Sequence, residues 1–142
     1  METDSAGAAL EQLIGQRSWT LLRRVVVKDD RSRIAQEIID AADKLNADVI
    51  ITCGGTGMSL RDVAPEATAD ACDRNVPGIA ELMRAYSLKI TPHAALSRSV
   101  CMQRGRHLVI NFPGSEKAAR ENWAAVEGIL EHAKRMSEGA GH

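Results

Sequence analysis

The sequence predicts an α/β domain with three layers, in which helices cover both faces of a mostly parallel sheet. Short apolar runs alternate with segments whose apolar residues recur at the helical period. The connections between these segments are short, which favours strand–helix–strand units. Because 44% of the residues are hydrophobic but only 3% are aromatic, we expect a core of Ala, Val, Ile and Leu.

The first part of the chain is predicted to form two helices and two strands. Asp4 or Ser5 can cap a helix that runs to about Gln16, and residues 21–27 (LLRRVVV) are expected to form a strand. Residues 49–52 (VIIT) are continuously apolar, as in a strand buried on both faces. Between them, Asp30 can cap a helix whose apolar residues follow at spacings of 4, 3 and 4: Ile34, Ile38, Ala41 and Leu45.

The second part is predicted to contain three helices and one strand. Pro65 and Pro77 each suit the first turn of a helix, where a missing N–H is tolerated. Residues 108–110 form a short apolar strand that leads into a last helix with one apolar stripe: Ala119, Trp123, Val126, Leu130 and Ala133. We therefore expect one domain over residues 1–137 and a disordered tail at 138–142.

The composition argues against several classes of function. The net charge of −1 gives no basic field for nucleic acid. No apolar run approaches the ~18 residues of a membrane span, and the acidic first residues do not resemble a signal peptide. The cysteines Cys53, Cys72 and Cys101 have no paired spacing, so they are expected to be reduced thiols. A cytoplasmic protein that binds neither nucleic acid nor membrane is predicted.

Three loops that follow predicted strands carry the residues best suited to bind a ligand. In parallel sheets, ligands bind at the carboxyl ends of the strands. Glycines there allow close backbone approach, and successive N–H groups can hold a phosphate. A plain tight turn explains the glycines equally well. The residues are Asp29, the turn of Gly54, Gly55, Thr56 and Gly57, and the turn of Pro113, Gly114 and Ser115.

Two carboxylates near a phosphate-binding turn suggest Mg²⁺, which takes few protein oxygens and several from water or phosphate. Asp29 and Asp62 are the candidates for catalysis and for the metal. Helix capping is the alternative for Asp29, and a solvated charge or an ion pair with Arg61 is the alternative for Asp62. Ser97 has no nucleophile arrangement around it, so its hydroxyl is expected to donate to a ligand, near Arg98.

Four ordered blocks resemble the molybdopterin-binding, Mog-type family, which includes bacterial molybdopterin adenylyltransferase and the G domain of gephyrin. The first block is TCGGTG at residues 52–57 with RDVAPEAT at 61–68. The others are PGIAELMR at 77–84, Thr91-Pro92 with LSR at 96–98, and NFPGS at 111–115. The resemblance covers roughly residues 4–133.

The resemblance implies a Rossmann-like fold and an enzyme that transfers AMP from ATP to the molybdopterin phosphate with Mg²⁺. The family's two essential aspartates match Asp29 and Asp62, and its binding positions match the turns named above with Ser97 and Arg98. It also implies a homotrimer or hexamer, and a second protein that inserts molybdate.

The sequence departs from the family at its start. The strand that normally opens the fold has no counterpart before Asp4, so we expect a sheet that lacks its first strand and has an unpaired edge. Smaller departures are Cys53, Ala64 and Glu116. A non-catalytic molybdopterin carrier or truncated member is therefore an alternative to the enzyme, and a trimeric scaffold is a third.

Overall fold

The computed structural model describes residues 4–139, which form five α-helices, one 3₁₀ helix and four strands. The α-helices are α1 (Ser5–Gln16), α2 (Arg31–Asp43), α3 (Ala64–Ala71), α4 (Pro77–Leu88) and α5 (Glu116–Ser137). The strands are β1 (Val49–Cys53), β2 (Arg74–Asn75), β3 (Cys101–Arg104) and β4 (His107–Phe112), and the 3₁₀ helix is Pro92–Leu96.

The sheet has the strand order β1-β4-β3-β2 and separates two apolar clusters. β4 contributes to both, because successive side chains of a strand point to opposite faces. Leu108, Ile110 and Phe112 pack with α1, α4 and α5, whereas Val109 packs with α2 and α3. The predicted α/β class, with helices on both faces, is confirmed.

The sheet is mixed. Only the β1–β4 pair is parallel, whereas the sequence had predicted a mostly parallel sheet. The reason is the turn after β3. Gly105 has φ +56°, and Arg104 pairs with His107 across a two-residue loop. Glycine at the first central position is typical of a tight hairpin, which makes β3 and β4 antiparallel. β3 itself was not predicted, because its residues (CMQR) show no clear alternation.

The strand predicted for residues 21–27 is wrong. These residues are extended but belong to no strand, and Leu21, Leu22, Val25 and Val26 are exposed. A strand exists through hydrogen bonds to a neighbour, and β1, the edge strand, has no hydrogen-bonded neighbour on its outer side among the described residues. For the same reason β1 is half-buried rather than buried on both faces.

The predicted helix starts agree with the structure. Asp4, Asp30 and Ser115 cap α1, α2 and α5 by accepting from a backbone N–H of the first turn. Pro65 and Pro77 lie in the first turns of α3 and α4. The tail predicted at 138–142 falls largely outside the described residues, which end two residues after α5.

Candidate functional site

The glycine turn lies directly after β1, beside the turn that follows β4. The Gly54 N–H donates to the Phe112 carbonyl oxygen at 2.8 Å, so the two chains are still paired as the strands end. A Cβ built on Gly114 would lie 3.2 Å from the Cα of Gly54. The two turns therefore touch through backbone atoms.

Positive φ angles set the shape of this turn. Gly54 and Gly55 have φ values of 90° and 69°, a region in which side chains are strained. The Gly55 carbonyl oxygen accepts from the Ala64 N–H at 3.1 Å, which ties the turn to the start of α3. A Cβ on Gly55 would also lie 3.3 Å from the Ala64 side chain. Gly55 is therefore needed for the shape of this turn, whatever ligand the turn contacts.

Arg98 holds the loop that follows the glycine turn. Its Nε donates to the Gly57 carbonyl oxygen and its Nη2 to the Asp62 carbonyl oxygen, both at 2.7 Å. Its Nη1 donates to Glu66 at 2.6 Å, and its backbone N–H donates to the Thr56 carbonyl oxygen at 2.8 Å. These bonds, several of them charge-assisted, indicate that Arg98 positions the loop.

The Arg98 guanidinium also affects the carboxyl group that it pairs with. Its hydrogen bond holds the pKa of Glu66 below the ordinary value, against the opposing effect of partial desolvation. The same contact raises the pKa of Arg98. Both groups are therefore charged at neutral pH, and the pair fixes the start of α3 to the segment that carries Ser97.

Ser97 is held by a polar cluster that the sequence did not reveal. Its hydroxyl donates to the Ser99 hydroxyl at 3.1 Å. Arg84 donates from Nη1 to the carbonyl oxygens of Ser97 and Ser99, at 3.1 Å each. Arg84 lies on a helix three residues from Glu81, a spacing that would have suited a surface ion pair. Its actual partners lie 13 and 15 residues away in the sequence, so no local pattern predicted these contacts.

Asn111 connects the ends of neighbouring segments through hydrogen bonds of its side-chain amide. It is fully buried, and its Nδ2 donates to the hydroxyls of Thr52 and Thr68, both at 2.9 Å. Its Oδ1 accepts from the Val100 N–H at 3.1 Å. A buried amide with its donors and acceptor satisfied stabilises one arrangement of its neighbours. Asn111 thus connects β1, α3 and the chain that enters β3.

Two cavities open beside the paired turns. A cavity of about 310 Å³ has a mostly apolar lining, to which Thr56, Ser97, Ser99 and Asn122 add polar groups; Gly57 and Pro113 also line it. A much larger one, about 1350 Å³, reaches Asp29, Gly54, Gly55 and Gly114 at one end. The two turns thus contribute to both cavities. The sequence analysis did not identify Asn122, although its position beside the apolar stripe of α5 indicated that its amide would be buried.

The other predicted residues lie around the cavities. Arg98 and Ser115 line neither of them. The Ser115 hydroxyl accepts from the Ala118 N–H at 3.1 Å as the cap of α5. Arg98 holds the loop after the glycine turn through the hydrogen bonds described above. These two are structural supports of the turns in the arrangement seen here.

The two candidate carboxylates occupy different surroundings. Asp29 is exposed and lines the large cavity. Asp62 lines neither cavity; its Oδ2 accepts from the Ser59 N–H at 3.0 Å. A Cβ built on Gly57 would lie 2.9 Å from that oxygen, so the carboxylate packs against the glycine turn. The ion pair of Asp62 with Arg61 does not form.

The donor set suits a cation that is shared with a phosphate. Among residues 4–139, no group of three or more His, Cys, Asp or Glu side chains converges as a metal cage would require. Mg²⁺ commonly takes one or two carboxylates and completes its shell with phosphate oxygens and water. Asp29 and Asp62 fit that chemistry and do not fit a preformed protein-only site.

Cys53, the last residue of β1, is a poor nucleophile. Solvent reaches it through the large cavity, yet the surrounding protein desolvates it and raises the pKa of its thiol to about 12. The thiol is therefore protonated at neutral pH, and the thiolate is the reactive form. No helix in the described part of the chain is long and apolar enough to span a membrane.

Known proteins resemble this chain along most of its length. Residues 2–132 match the family described as "probable molybdopterin binding domain". The chain is 39% identical to the molybdopterin adenylyltransferase of Helicobacter pylori over 125 residues, which are 87% of this chain and 71% of that protein. It is 39% identical to the Drosophila melanogaster molybdenum cofactor synthesis protein cinnamon over 136 residues, 95% of this chain but only 23% of that protein.

A solved structure shows the same fold. The molybdopterin biosynthesis enzyme MoaB from Thermus thermophilus superimposes with a TM-score of 0.90 at 41% identity, covering 97% of this chain and 87% of that chain. Together, the sequence match and the common fold show that this chain belongs to the family of molybdopterin-binding domains.

Proposed function

We propose that this protein is a molybdopterin adenylyltransferase of molybdenum cofactor biosynthesis. The observation that carries the proposal is the backbone contact between Gly54 and Gly114 at the strand ends, where the two turns contribute to the walls of both cavities. Glycines in both turns allow phosphate groups to approach the backbone N–H groups closely. The relatives named molybdopterin adenylyltransferase support the choice of substrates.

In the proposed reaction, a phosphate oxygen of molybdopterin attacks the α-phosphorus of ATP. The new P–O bond joins AMP to molybdopterin, and the bond from the α-phosphorus to the bridging oxygen of the β-phosphate breaks to release pyrophosphate. A phosphate is already nucleophilic at neutral pH, so the protonated Cys53 thiol is not needed. Catalysis is then mainly positioning and neutralisation of charge.

The cavities suggest how the substrates divide. The small cavity offers the hydroxyls of Thr56, Ser97 and Ser99 and the amide of Asn122, which suit the heteroatoms of a pterin. ATP would lie on the Asp29 side, in the larger cavity. Mg²⁺, when bound, would neutralise the phosphate charges, and Asp29 and Asp62 are the carboxylates that would hold it. Both turns would contact phosphate oxygens through their N–H groups.

A non-catalytic carrier is the second candidate, and one observation favours it. Asp29 follows residues 20–27, none of whose backbone groups is bonded to another backbone group in the described structure. A catalytic carboxylate on such a segment is poorly fixed, whereas the small cavity does not depend on it. A carrier would bind molybdopterin without releasing pyrophosphate.

We also propose a homotrimer or hexamer in the cytoplasm that passes its product to a molybdate-inserting protein. The support within the fold is a set of exposed apolar side chains near the site, in the loop after the glycine turn, on α4 and in the 3₁₀ helix: Met58, Leu60, Leu82, Tyr86 and Leu96. Large exposed apolar groups commonly mark contacts between proteins. Sedimentation of the purified protein tests this, and a monomer at micromolar concentration would count against it.

Pyrophosphate release with molybdopterin, ATP and Mg²⁺ tests the enzyme. Asp29→Asn and Asp62→Asn should each lower the rate by about 100-fold or more, the scale of one strong electrostatic contact. An amide oxygen at position 62 can still accept from the Ser59 N–H, so the loop should keep its shape. Asp30→Asn is the matched control, because asparagine also caps α2 and should leave the rate unchanged.

Binding of molybdopterin, measured by titration, separates the two candidates. The enzyme predicts that both variants still bind molybdopterin. If the parent protein binds molybdopterin and never releases pyrophosphate, the carrier is correct. If both aspartate variants react like the parent, the assignment of the metal ligands is wrong.

A further inference from the structure

The small cavity is a groove between α4, the 3₁₀ helix and α5 that begins at the paired turns. Thr56 and Pro113 line it beside the turns, whereas Glu121 and Asn122 line it along α5. Glu121 lies six residues beyond Ser115, the cap of α5, and is therefore about 9 Å farther along the helix axis. One end of the cavity thus lies at the turns, and the other end lies between the helices.

Glu121 is an unpaired carboxylate in the wall of this cavity. Its side chain is partly exposed, and it makes no hydrogen bond or ion pair with the described part of the chain. Glu116, on the same helix, pairs with Arg120. Arg84 also lines the cavity, but it donates to backbone carbonyl oxygens and does not pair with Glu121. The Glu121 carboxylate is therefore available to a ligand that carries N–H donors.

Asn122 adds a second free acceptor, next to Glu121 in α5. The residue is only 6% exposed, and its Nδ2 donates to the Ser87 hydroxyl at 2.7 Å. Its Oδ1 makes no hydrogen bond with residues 4–139. In that range the only solvent-inaccessible side-chain nitrogen or oxygen without a partner is Nε of Arg17, so solvent reaches Oδ1 of Asn122. Because buried polar groups are normally hydrogen-bonded, we expect this oxygen to accept from a ligand.

These acceptors match one edge of a pterin. The pyrimidinone ring of a pterin carries a ring N–H next to an exocyclic amino group, which together present three N–H donors in one plane. The two oxygens of the Glu121 carboxylate can accept the ring N–H and one amino N–H as a parallel, charge-assisted pair. The second amino N–H is then left for Oδ1 of Asn122.

The size and lining of the cavity agree with this orientation. Its volume of about 310 Å³ is at the lower end of the range for small-molecule sites, so it holds one heterocycle rather than both substrates. Its mostly apolar lining, which includes Met83 and Leu96, suits the faces of a flat ring. With the amino edge at Glu121, the phosphate end of molybdopterin points towards Thr56 and the turns.

We propose that Glu121 and Asn122 are the specificity-determining residues that select the pterin of the substrate. Glu121 accepts from the ring N–H and the amino group, and Asn122 accepts the remaining amino hydrogen. This inference rests on the proposed function, because it takes molybdopterin as the substrate of this cavity. Adenine presents a donor next to an acceptor, so its ring nitrogen would face the carboxylate with a lone pair. The same two residues therefore keep ATP out of the small cavity.

Free pterin and lumazine are the probes, because they differ at a single group. Lumazine carries a carbonyl oxygen where pterin carries the amino group, and this oxygen would place a lone pair opposite the Glu121 carboxylate. Binding is measured by isothermal titration calorimetry without ATP. The parent protein should bind pterin about tenfold or more tightly than lumazine, the scale of one hydrogen bond to a charged group.

Glu121→Gln should reverse this preference. A glutamine amide offers one acceptor and one donor, which pair with the ring N–H and the carbonyl oxygen of lumazine. The ratio of the two dissociation constants should therefore shift towards lumazine by at least about tenfold. Glu127→Gln is the matched control, because Glu127 lies on the same helix and lines neither cavity. This variant should keep the preference for pterin.

Asn122→Ala tests the second acceptor. Lumazine has no amino hydrogen for Oδ1 of Asn122, so the variant should weaken pterin binding more than lumazine binding without reversing the preference. The ratio of the two affinities is the readout, because a general loss of structure would lower both affinities together. Melting temperatures of the variants are measured alongside.

Each outcome decides the inference. Reversal in Glu121→Gln, with the preference retained in Glu127→Gln, supports it. If Glu121→Gln weakens both ligands equally or changes neither, the carboxylate does not recognise the amino group and the inference is wrong. Absence of pterin binding at millimolar concentration, or displacement of pterin by adenosine, also overturns it. Guanosine carries the same edge on a larger molecule, and if it binds as tightly as pterin, the cavity does not select a pterin.

These results are separable from those on the proposed reaction. A protein that prefers pterin to lumazine but never releases pyrophosphate is the carrier, and the inference stands. A protein that releases pyrophosphate but binds pterin and lumazine equally is the enzyme, and the inference fails.

Discussion

Gly114 approaches Gly54 so closely that a Cβ on Gly114 would lie 3.2 Å from the neighbouring Cα. Gly114 does not have a positive φ, so alanine is not strained there by the backbone itself. Gly114→Ala should push the two turns apart by a few tenths of an ångström and lower the rate of pyrophosphate release several-fold, with little change in melting temperature.

The control for this variant is Gly128→Ala. A Cβ at position 128 meets no atom within 4 Å, and the residue lies inside α5. Alanine there should raise stability by about 0.5–1 kcal/mol and leave the rate unchanged. If Gly114→Ala reacts like Gly128→Ala, the contact between the turns is not part of the site.

Arg98→Lys tests whether the guanidinium positions the loop. Lysine keeps the positive charge but cannot reach the carbonyl oxygens of Gly57 and Asp62 and the Glu66 carboxylate together. We expect kcat to fall by about tenfold or more while molybdopterin binding changes less. Glu66→Gln, which retains an acceptor, should have a smaller effect. Steady-state kinetics on both variants provide the measurement, and equal effects would contradict a role at the carbonyl groups.

Asn111→Leu should cost about 2–4 kcal/mol of the free energy of unfolding. The change leaves the Val100 N–H without its acceptor and the hydroxyls of Thr52 and Thr68 without their donor. Thr68→Val removes one member of the network and should cost less. Urea unfolding of the two variants gives the comparison. If the Asn111→Leu variant is as stable as the parent, the network does not contribute to the free energy of unfolding.

Acid should destabilise the protein through three arginine-paired carboxyls. Hydrogen bonds from Arg98, Arg31 and Arg104 lower the pKa values of Glu66, Asp70 and Asp43 in the folded state. A group with a lowered pKa contributes stability above its unfolded pKa, near 4 for these groups, and loses it as pH falls through the folded value. Unfolding free energy measured between about pH 5 and pH 2 should therefore decrease, and less steeply in Arg31→Met.

The helices could be predicted from local features because their signals are local. Asp4 and Asp30 cap helices in the structure as their sequence positions indicated. The strand at 21–27 could not be judged in this way. Its composition favours a strand, but pairing depends on whether a neighbour is present, and that is a property of the whole sheet.

The site was predictable where it lies on strand ends and unpredictable where it depends on distant contacts. Gly54 and Gly114 meet because β1 and β4 are adjacent and parallel. The contacts of Arg98 with Gly57, Asp62 and Glu66, and those of Asn111 with Thr52 and Thr68, join residues 32 to 59 positions apart. Such contacts leave no periodic pattern, so the support that Arg98 gives to the loop could not be predicted from the sequence.

The ion pairs of Arg23 and Arg24 have a consequence for how the protein responds to its solvent. They brace a segment that makes no backbone hydrogen bonds to the rest of the described chain, and their side chains are partly exposed. Interactions of this kind weaken as the Debye length falls from ~10 Å at 0.1 M salt to ~3 Å at 1 M. Ionic strength should therefore control the distance between Asp29 and the glycine turn. Salt concentrations that leave the helices unchanged should still alter the shape of the large cavity.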